Sequence, residues 1–200
     1  MRKIQYRYCG IEGKRQVGLS AVVQKRVKNK ELQPLENEDL AFCWDTHLIK
    51  HKNRNVLLVV NVSSRYTIAM TDIEPRNWNY YGVYIGNVIY MAMKSEGYSD
   101  NQISRYFQLA GQMKLTKTHG KKSVGGISRV MATAVVYDDP LIRDAKYQAE
   151  LCEFLNRDIC TPPGFDAYGY PVELFHLDVE RLGIGAKRKP AKIIEFPNKN

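Results

Sequence analysis

The chain has 200 residues and a formal net charge of +9 at pH 7, and 44% of its residues are hydrophobic. These values are ordinary for a globular protein and exclude a disordered or low-complexity chain. No apolar run reaches the length of a transmembrane helix, and we expect no secretory signal after Met1. The four cysteines form no CxxC pair, so we expect reduced thiols in a cytoplasmic protein.

Two alternating segments at the N-terminus predict a basic β-hairpin. Polar and apolar residues alternate over residues 2–9 and again over residues 16–27. Alternation with a period of two is typical of a half-buried strand. Gly10 and Gly13 mark a turn between the segments, so we expect the basic side chains on the solvent face of a folded hairpin.

The rest of the chain predicts strands first and helices afterwards. The predicted strands lie at 40–51, 56–60, 65–70, 112–118 and 172–179, and the predicted helices at 78–96, 99–109, 123–136 and 139–159. This order predicts an α+β fold with a mainly antiparallel sheet packed by several helices. We divide the chain into a basic β-hairpin extension (1–33), a core α+β domain (34–160) and a Pro/Gly-rich C-terminal extension with a basic tail (161–200).

The positive charge is concentrated at the two ends of the chain. Residues 1–30 hold nine basic residues and one acidic residue, and residues 187–200 hold five and one, whereas residues 31–186 are slightly acidic. A near-neutral body with basic ends favours binding to a polyanion, most often nucleic acid. The alternative is a soluble protein with solvated lysine-rich edges. The candidate nucleic-acid-binding residues are Arg2, Lys3, Arg7, Lys14, Arg15, Lys25, Arg26, Lys28, Lys30, Lys187, Arg188 and Lys189.

One face of the predicted strand at 40–51 collects side chains that can do chemistry. Cys43, Asp45 and His47 occupy alternate positions and therefore point to the same side, about 7 Å apart, with His51 further along. Such groups can share a metal or relay a proton, although no metal-ligand motif of standard spacing is present. The alternative is a covered sheet face with ordinary hydrogen bonds.

Arg65 follows the next predicted strand, and its planar guanidinium suits a carboxylate or a phosphate. The alternative for Arg65 is a structural ion pair with Asp45 or Asp72. If the chain is an enzyme, its candidate catalytic residues are Asp45, His47 and Arg65. The motifs HExxH, GxSxG and GxGxxG are missing, and we expect neither a cofactor nor a metal.

Two further features have both a functional and an ordinary interpretation. The basic, glycine-containing stretch 117–126 precedes a predicted helix whose backbone N–H groups can hold a phosphate, or it is a solvent loop. Tyrosines such as Tyr80, Tyr168 and Tyr170 lie near basic or Gly/Pro-rich segments. Such tyrosines either stack on single-stranded bases or belong to the core.

Several short patterns occur in a fixed order in the middle of the chain. A strand beginning at Trp44 is followed by a basic turn, an apolar strand ending in Asn61, the step Ser64-Arg65-Tyr66 and, later, Thr116-Lys117-Thr118. In residues 40–135 the chain therefore resembles an uncharacterised bacterial, plasmid and phage domain family of unknown function. The same pattern is seen at the start of plasmid Ri open-reading-frame-three type proteins.

The resemblance implies a mobile-genetic-element setting and carries no particular chemistry. The family usually has His, Asp and Arg where this chain has Asp45, Val62 and Lys122. The resemblance therefore transfers no catalytic activity to this chain.

Together these features predict a non-enzymatic protein of a phage or mobile element. We expect it to bind RNA or a nucleic-acid-bound protein complex, such as a guide-RNA nuclease, which it would inhibit as anti-CRISPR proteins do. One alternative is a nuclease that uses the Asp45/His47 strand face. Another is an antitoxin or regulatory protein that binds only a protein partner. No membrane partner is expected, and the sequence does not indicate an oligomeric state.

Overall fold

A computed structural model describes residues 15–28, 31–36 and 38–185 of the chain. Its strands are β1 (Arg15–Leu19), β2 (Cys43–His51), β3 (Arg54–Asn61), β4 (Thr67–Thr71) and β5 (Met113–Lys117). Its helices are α1 (Ala21–Gln24), α2 (Pro75–Asn79), α3 (Tyr81–Ser95), α4 (Asp100–Ala110), α5 (Gly120–Val135), α6 (Ala149–Leu155) and α7 (Pro171–Arg181).

The five strands form one mixed sheet in the order β4-β3-β2-β1-β5. β2, β3 and β4 are antiparallel neighbours, whereas β1 runs parallel to both β2 and β5. Lys52 and Asn53, which join β2 to β3, have φ values of 45° and 63°. Positive φ at both central residues is typical of the turns whose twist matches a tight hairpin. The predicted α+β class is confirmed, and the sheet is mixed where a mainly antiparallel one was predicted.

The prediction that residues 16–27 form the second strand of an N-terminal hairpin is wrong. β1 ends at Leu19, and the chain continues into α1, so residues 16–27 are not one strand. β1 also lies between β2 and β5 and is paired on both sides, which leaves no edge for a hairpin partner. The partner predicted at residues 2–9 lies outside the described residues. The division of the chain into three parts stays a prediction.

Helices cover both faces of the sheet. On one face, the indole Nε1 of Trp44 donates a hydrogen bond to the hydroxyl of Tyr106 in α4 at 3.0 Å, and its ring lies 5.9 Å from that of Phe175 in α7. The next residue, Asp45, points to the opposite face, where it contacts α5. The apolar core extends on both sides of β3, in which every residue from Val56 to Val60 is buried.

The C-terminal part of the described chain differs from the prediction in two places. The predicted strand at 172–179 is the helix α7, which begins with Pro171 at its first position and buries Phe175 and Val179. The predicted helix at 139–159 is helical only as α6. Every helix in the described ranges is too short or too polar to cross a membrane.

Segments without regular structure are bonded to both outer strands. At β4, the backbone N–H of Thr71 donates to the carbonyl of Lys146 at 2.8 Å, and that of Gln148 donates to the carbonyl of Ala69 at 3.0 Å. At β5, the N–H of Gln33 donates to the carbonyl of Leu115 at 2.7 Å. The segments 145–148 and 31–36 therefore partly cover the two edges of the sheet.

Candidate functional site

The carboxyl ends of β1 and β5 meet at one end of the sheet, because Leu19 pairs with Lys117 in parallel register. β1 has β2, the next strand in sequence, on one side and β5, a much later strand, on the other. In open sheets with parallel strands, ligands commonly bind outside the carboxyl ends of the strands at such a change of order. This end of the sheet is therefore the first place to look for a site.

Asp45 is the centre of a buried hydrogen-bond network at this end of the sheet. Its carboxylate is fully buried and accepts bonds from the backbone N–H of His119 at 3.1 Å, from the ring Nδ1 of His119 at 2.6 Å and from the hydroxyl of Ser123. His119 directly precedes α5, and Ser123 lies in its first turn. Because a carboxylate is favourable at a helix N-terminus, Asp45 of β2 caps α5 from a neighbouring element. The start of the helix in the stretch 117–126 thus has an acidic side chain of the protein bonded to His119 and Ser123.

Gly18 makes room for this network. A Cβ atom on residue 18 would lie 1.9 Å from Oδ1 of Asp45 and 2.9 Å from the Cα of Thr118. The second contact is to backbone, so the neighbour could not move aside easily. The carboxylate therefore lies directly over β1 at the one position in that strand without a side chain.

His119 has one nitrogen engaged and one available. Asp45 binds Nδ1, which fixes the orientation of the ring, while Nε2 is buried and has no hydrogen-bond partner among the described residues. The side chain of His119 is 7% exposed. Ser123 donates to Asp45 and not to His119, so the three residues do not form a nucleophile–base–acid triad. Chemically, the arrangement can hold or accept a proton at Nε2.

The other residues of the predicted β2 face do not join Asp45. Burial, followed by the charge of Asp45, raises the pKa of Cys43 to about 12, so its thiol is unsuited to nucleophilic attack. His47 is half-buried, and burial lowers its pKa. The ring of His51 lies 6.3 Å from that of Tyr137. In the described ranges, no group of three or more His, Cys, Asp or Glu residues is placed to hold a metal ion.

Arg65 packs against α5 at Gly126, one helical turn after Ser123 of the Asp45 network. It occupies the turn between β3 and β4 with a φ of 63°, and its Nε is 3.2 Å from the point that a Cβ of Gly126 would occupy. The ion pairs considered for Arg65 are not formed, because Asp45 binds His119 and Asp72 pairs with Arg54. The structure thus brings Asp45 and Arg65 to the same helix.

The candidate nucleic-acid-binding residues fall into three groups. Lys25, Arg26 and Lys28 are exposed. Arg15 is 4% exposed and lies over the ring of Phe107 at 4.8 Å, which removes it from the surface. The remaining candidates lie outside the described residues: Arg2, Lys3, Arg7, Lys14, Lys30, Lys187, Arg188 and Lys189.

A family model matches the chain over residues 16–174. The match covers well over half of the chain and includes Asp45, Arg65 and His119. The chain belongs to DUF6933, a domain of unknown function. No curated protein and no solved structure matches it. The predicted membership of a family of unknown function is confirmed, and the DUF6933 domain extends beyond the 40–135 of the predicted resemblance, so that it takes in most of β1 and the start of α7.

Sequence reasoning did not connect His119 and Ser123 of the DUF6933 domain to Asp45. The sequence does show His119-Gly120 directly after a strand and before a helix, with Ser123 one turn further. The missing information was the parallel pairing of β1 with both β2 and β5, which brings residues 45 and 119 together across the sheet. A sequence pattern with a short period carries no signal for such a long-range contact.

Proposed function

We propose that this protein binds single-stranded RNA, free or within a ribonucleoprotein, through a surface formed by Lys25, Arg26, Lys28 and Tyr80. We call these four residues the basic surface. The observation that carries the proposal is that its three cations are exposed and form no ion pair with any described residue.

Some of the other seventeen lysines and arginines of the described chain are neutralised by neighbouring acids. Eight of them lie within ion-pair distance of a carboxylate: Arg54, Arg76, Lys94, Lys114, Arg129, Lys146, Arg157 and Arg181. A cluster of uncompensated cations attracts a polyanion, because each phosphate contact releases a condensed counterion. The basic surface is therefore one part of the described molecule where positive charge is available to a ligand.

An exposed aromatic ring lies close to these cations. The backbone N–H of Lys28 donates to the carbonyl of Trp78 at 3.4 Å, which brings the segment 25–28 beside α2. Tyr80 follows Trp78 by two residues and is 71% exposed. An exposed tyrosine beside lysine and arginine suits stacking on an unpaired base, which favours single-stranded over duplex nucleic acid.

We further propose that the RNA is held by a guide-RNA nuclease and that the protein acts as its inhibitor in a phage or plasmid setting. The resemblance to plasmid and phage domains supports this setting. The high positive charge of residues 1–30 and 187–200 also supports a nucleoprotein partner, because a concentration of basic residues attracts a polyanion.

The test compares binding of a fluorescent single-stranded oligoribonucleotide to the wild type and to a K25A/R26A/K28A variant over a range of salt concentrations. We expect the variant to bind at least about tenfold more weakly, with a shallower salt dependence, since each lost phosphate contact removes about 0.7 from the logarithmic slope. Tyr80→Ala should weaken binding at every salt concentration, because stacking depends little on ionic strength.

A K94A/K146A/R157A variant is the matched control, since it removes the same charge from ion-paired surface positions. Absence of RNA binding by the wild type, or an equal loss in the control, would contradict the proposal. Degradation of the RNA that persists in EDTA and disappears in His119→Ala would instead support an enzyme built on Asp45 and His119.

A further inference from the structure

Arg65 is held in a partly enclosed position between three elements. Its backbone forms the turn between β3 and β4, and its guanidinium lies against Gly126 of α5. The segment 158–164 closes the third side, because the N–H of Gly164 donates to the carbonyl of Ser63 at 3.0 Å. We infer that Arg65 is the centre of a binding site for a phosphate group. This site is separate from the basic surface, and its test does not depend on RNA binding there.

Among the described residues, the guanidinium of Arg65 has no counter-ion in contact with it. No carboxylate of the described residues lies within ion-pair distance of Arg65, and its Nε is buried without a hydrogen-bond partner among them. Arg65 as a whole is half-buried, so part of the side chain is open to a ligand. A partly buried charge without a partner is unfavourable, and an arriving oxyanion would relieve that cost.

An acid on which the charge of Arg65 acts, Asp158, is already engaged. Asp158 accepts two hydrogen bonds from Arg129, both at 3.0 Å, and a third from the hydroxyl of Thr133 at 2.8 Å. The pKa of Asp158 is lowered mainly by its bond to Arg129, and the charge of Arg65 contributes to a smaller degree. Arg65 is thus close enough to act on Asp158 electrostatically, while that carboxylate binds Arg129 and Thr133 and forms no ion pair with Arg65.

The backbone of Arg65 has a strained conformation. The φ of 63° puts a long side chain in the left-handed region, where residues other than glycine are rare. Such strain is commonly found at binding and catalytic sites. On the facing helix, Gly126 leaves the space that the guanidinium occupies. An ordinary structural arginine needs neither of these features.

A phosphate group fits this environment well. The planar guanidinium donates two parallel N–H bonds to two oxygens of one phosphate. The phosphate can belong to a small phosphorylated molecule or to a nucleic-acid backbone, since both present the same oxygens.

The experiment measures binding of inorganic phosphate by calorimetry to the full chain and to Arg65→Asn. Asparagine tolerates a positive φ, so this variant removes the guanidinium while the backbone keeps its conformation. We expect the affinity for phosphate to fall at least about tenfold, as for lost hydrogen bonds to a charged group. Arg157→Gln removes an exposed charge elsewhere and should bind phosphate like the wild type.

Arg65→Lys provides a second variant, which keeps the charge but not the planar fork and should bind phosphate with intermediate affinity. Equal affinity of the wild type and Arg65→Asn, or no binding of phosphate by the wild type, would overturn the inference. Titration with the oligoribonucleotide identifies the source of the phosphate. Weaker RNA binding by Arg65→Asn indicates a backbone phosphate, and unchanged RNA binding with lost phosphate binding indicates a small phosphorylated ligand.

Discussion

Gly18 has no side chain, and the carboxylate of Asp45 occupies the space where one would be. The rest of β1 is fully buried between two parallel neighbours, so the strand cannot shift to relieve a clash. The absence of a side chain in β1 therefore allows Asp45 of β2 to form its hydrogen bonds at the start of α5.

Gly18→Ala should destabilise the protein. The new methyl group would lie 1.9 Å from Oδ1 of Asp45 and 3.0 Å from the carbonyl oxygen of Lys117. We expect the free energy of unfolding, measured with urea, to fall by about 1–3 kcal/mol, as in other overpacked cores.

Gly86→Ala in α3 is the matched control, because nothing lies within 4 Å of its added Cβ. Alanine is the better helix former, so this variant should gain about 0.5–1 kcal/mol in free energy of unfolding. A lower free energy of unfolding in both variants would show that the destabilisation comes from replacing any glycine, and not from the lack of space at residue 18.

At the scale of elements, the start of α5 depends on a residue that is 74 positions away from His119. The helix has no side-chain cap of its own, and Asp45 supplies the acceptor. The first turn of α5 is therefore stable only when β2 and β5 are both correctly paired with β1, which lies between them.

Asp45→Asn should loosen the beginning of α5. An amide cannot accept from both the ring and the backbone of His119 while it also accepts from Ser123, and one buried donor is left without a partner. We expect a loss of about 1–3 kcal/mol in free energy of unfolding, which is the usual cost of leaving a buried donor without a partner. Hydrogen exchange should increase most at residues 120–124.

Asp72→Asn is the corresponding control, since Asp72 is half exposed and pairs with Arg54 on the surface. Its loss should be at most about 1 kcal/mol, because surface ion pairs contribute little. Uniform hydrogen exchange along α5 in Asp45→Asn would contradict the capping role.

The elements that were predicted correctly are those with local signals. Ser99 caps α4 through a capping box with Gln102, and Gly111 ends the helix with a φ of 61°, so both limits are encoded next to the helix itself. The apolar run at 56–60 is likewise a buried central strand.

β1 shows what local signals miss. Val23 and Val27 continue the apolar spacing of β1, but they are buried from α1 and the turn after it. Alternation over a few residues is compatible with a strand followed by a helical turn, and it does not distinguish parallel from antiparallel pairing. Asp45 could be predicted as a candidate because its strand was predicted correctly. Its contact with His119 could not be predicted, because it depends on the parallel pairing of β1 with β2 and β5.

For the whole molecule, two histidines link stability to pH. Burial lowers the pKa of His47 and of His51, and Lys52 lowers that of His51 further. The folded protein therefore binds protons at these sites less readily than the unfolded chain, whose histidines titrate near 6.5. As the pH falls through this value, the histidines of the unfolded chain bind protons before those of the folded protein, which stabilises the unfolded state relative to the folded one.

The free energy of unfolding should therefore decrease between about pH 7 and pH 5.5, a range in which ordinary carboxylates stay charged. An H47Q/H51Q variant should show a smaller decrease. Below about pH 4 both proteins should lose further stability together, because the lowered pKa of Asp158 reflects a bond to Arg129 that protonation breaks. Identical pH profiles above pH 5.5 would contradict this prediction.

The covered edges of the sheet determine how this protein can recognise another molecule. Many proteins capture an extended peptide by adding it as a strand to an open edge. Here the backbone groups of Ala69 and Thr71 on one side and of Leu115 on the other are already bonded within the chain. At these positions of the described molecule, a partner can therefore contact side chains and the molecular surface, but it cannot add a strand through free backbone hydrogen bonds. The same covering protects the protein from joining edge to edge with its own copies at high concentration.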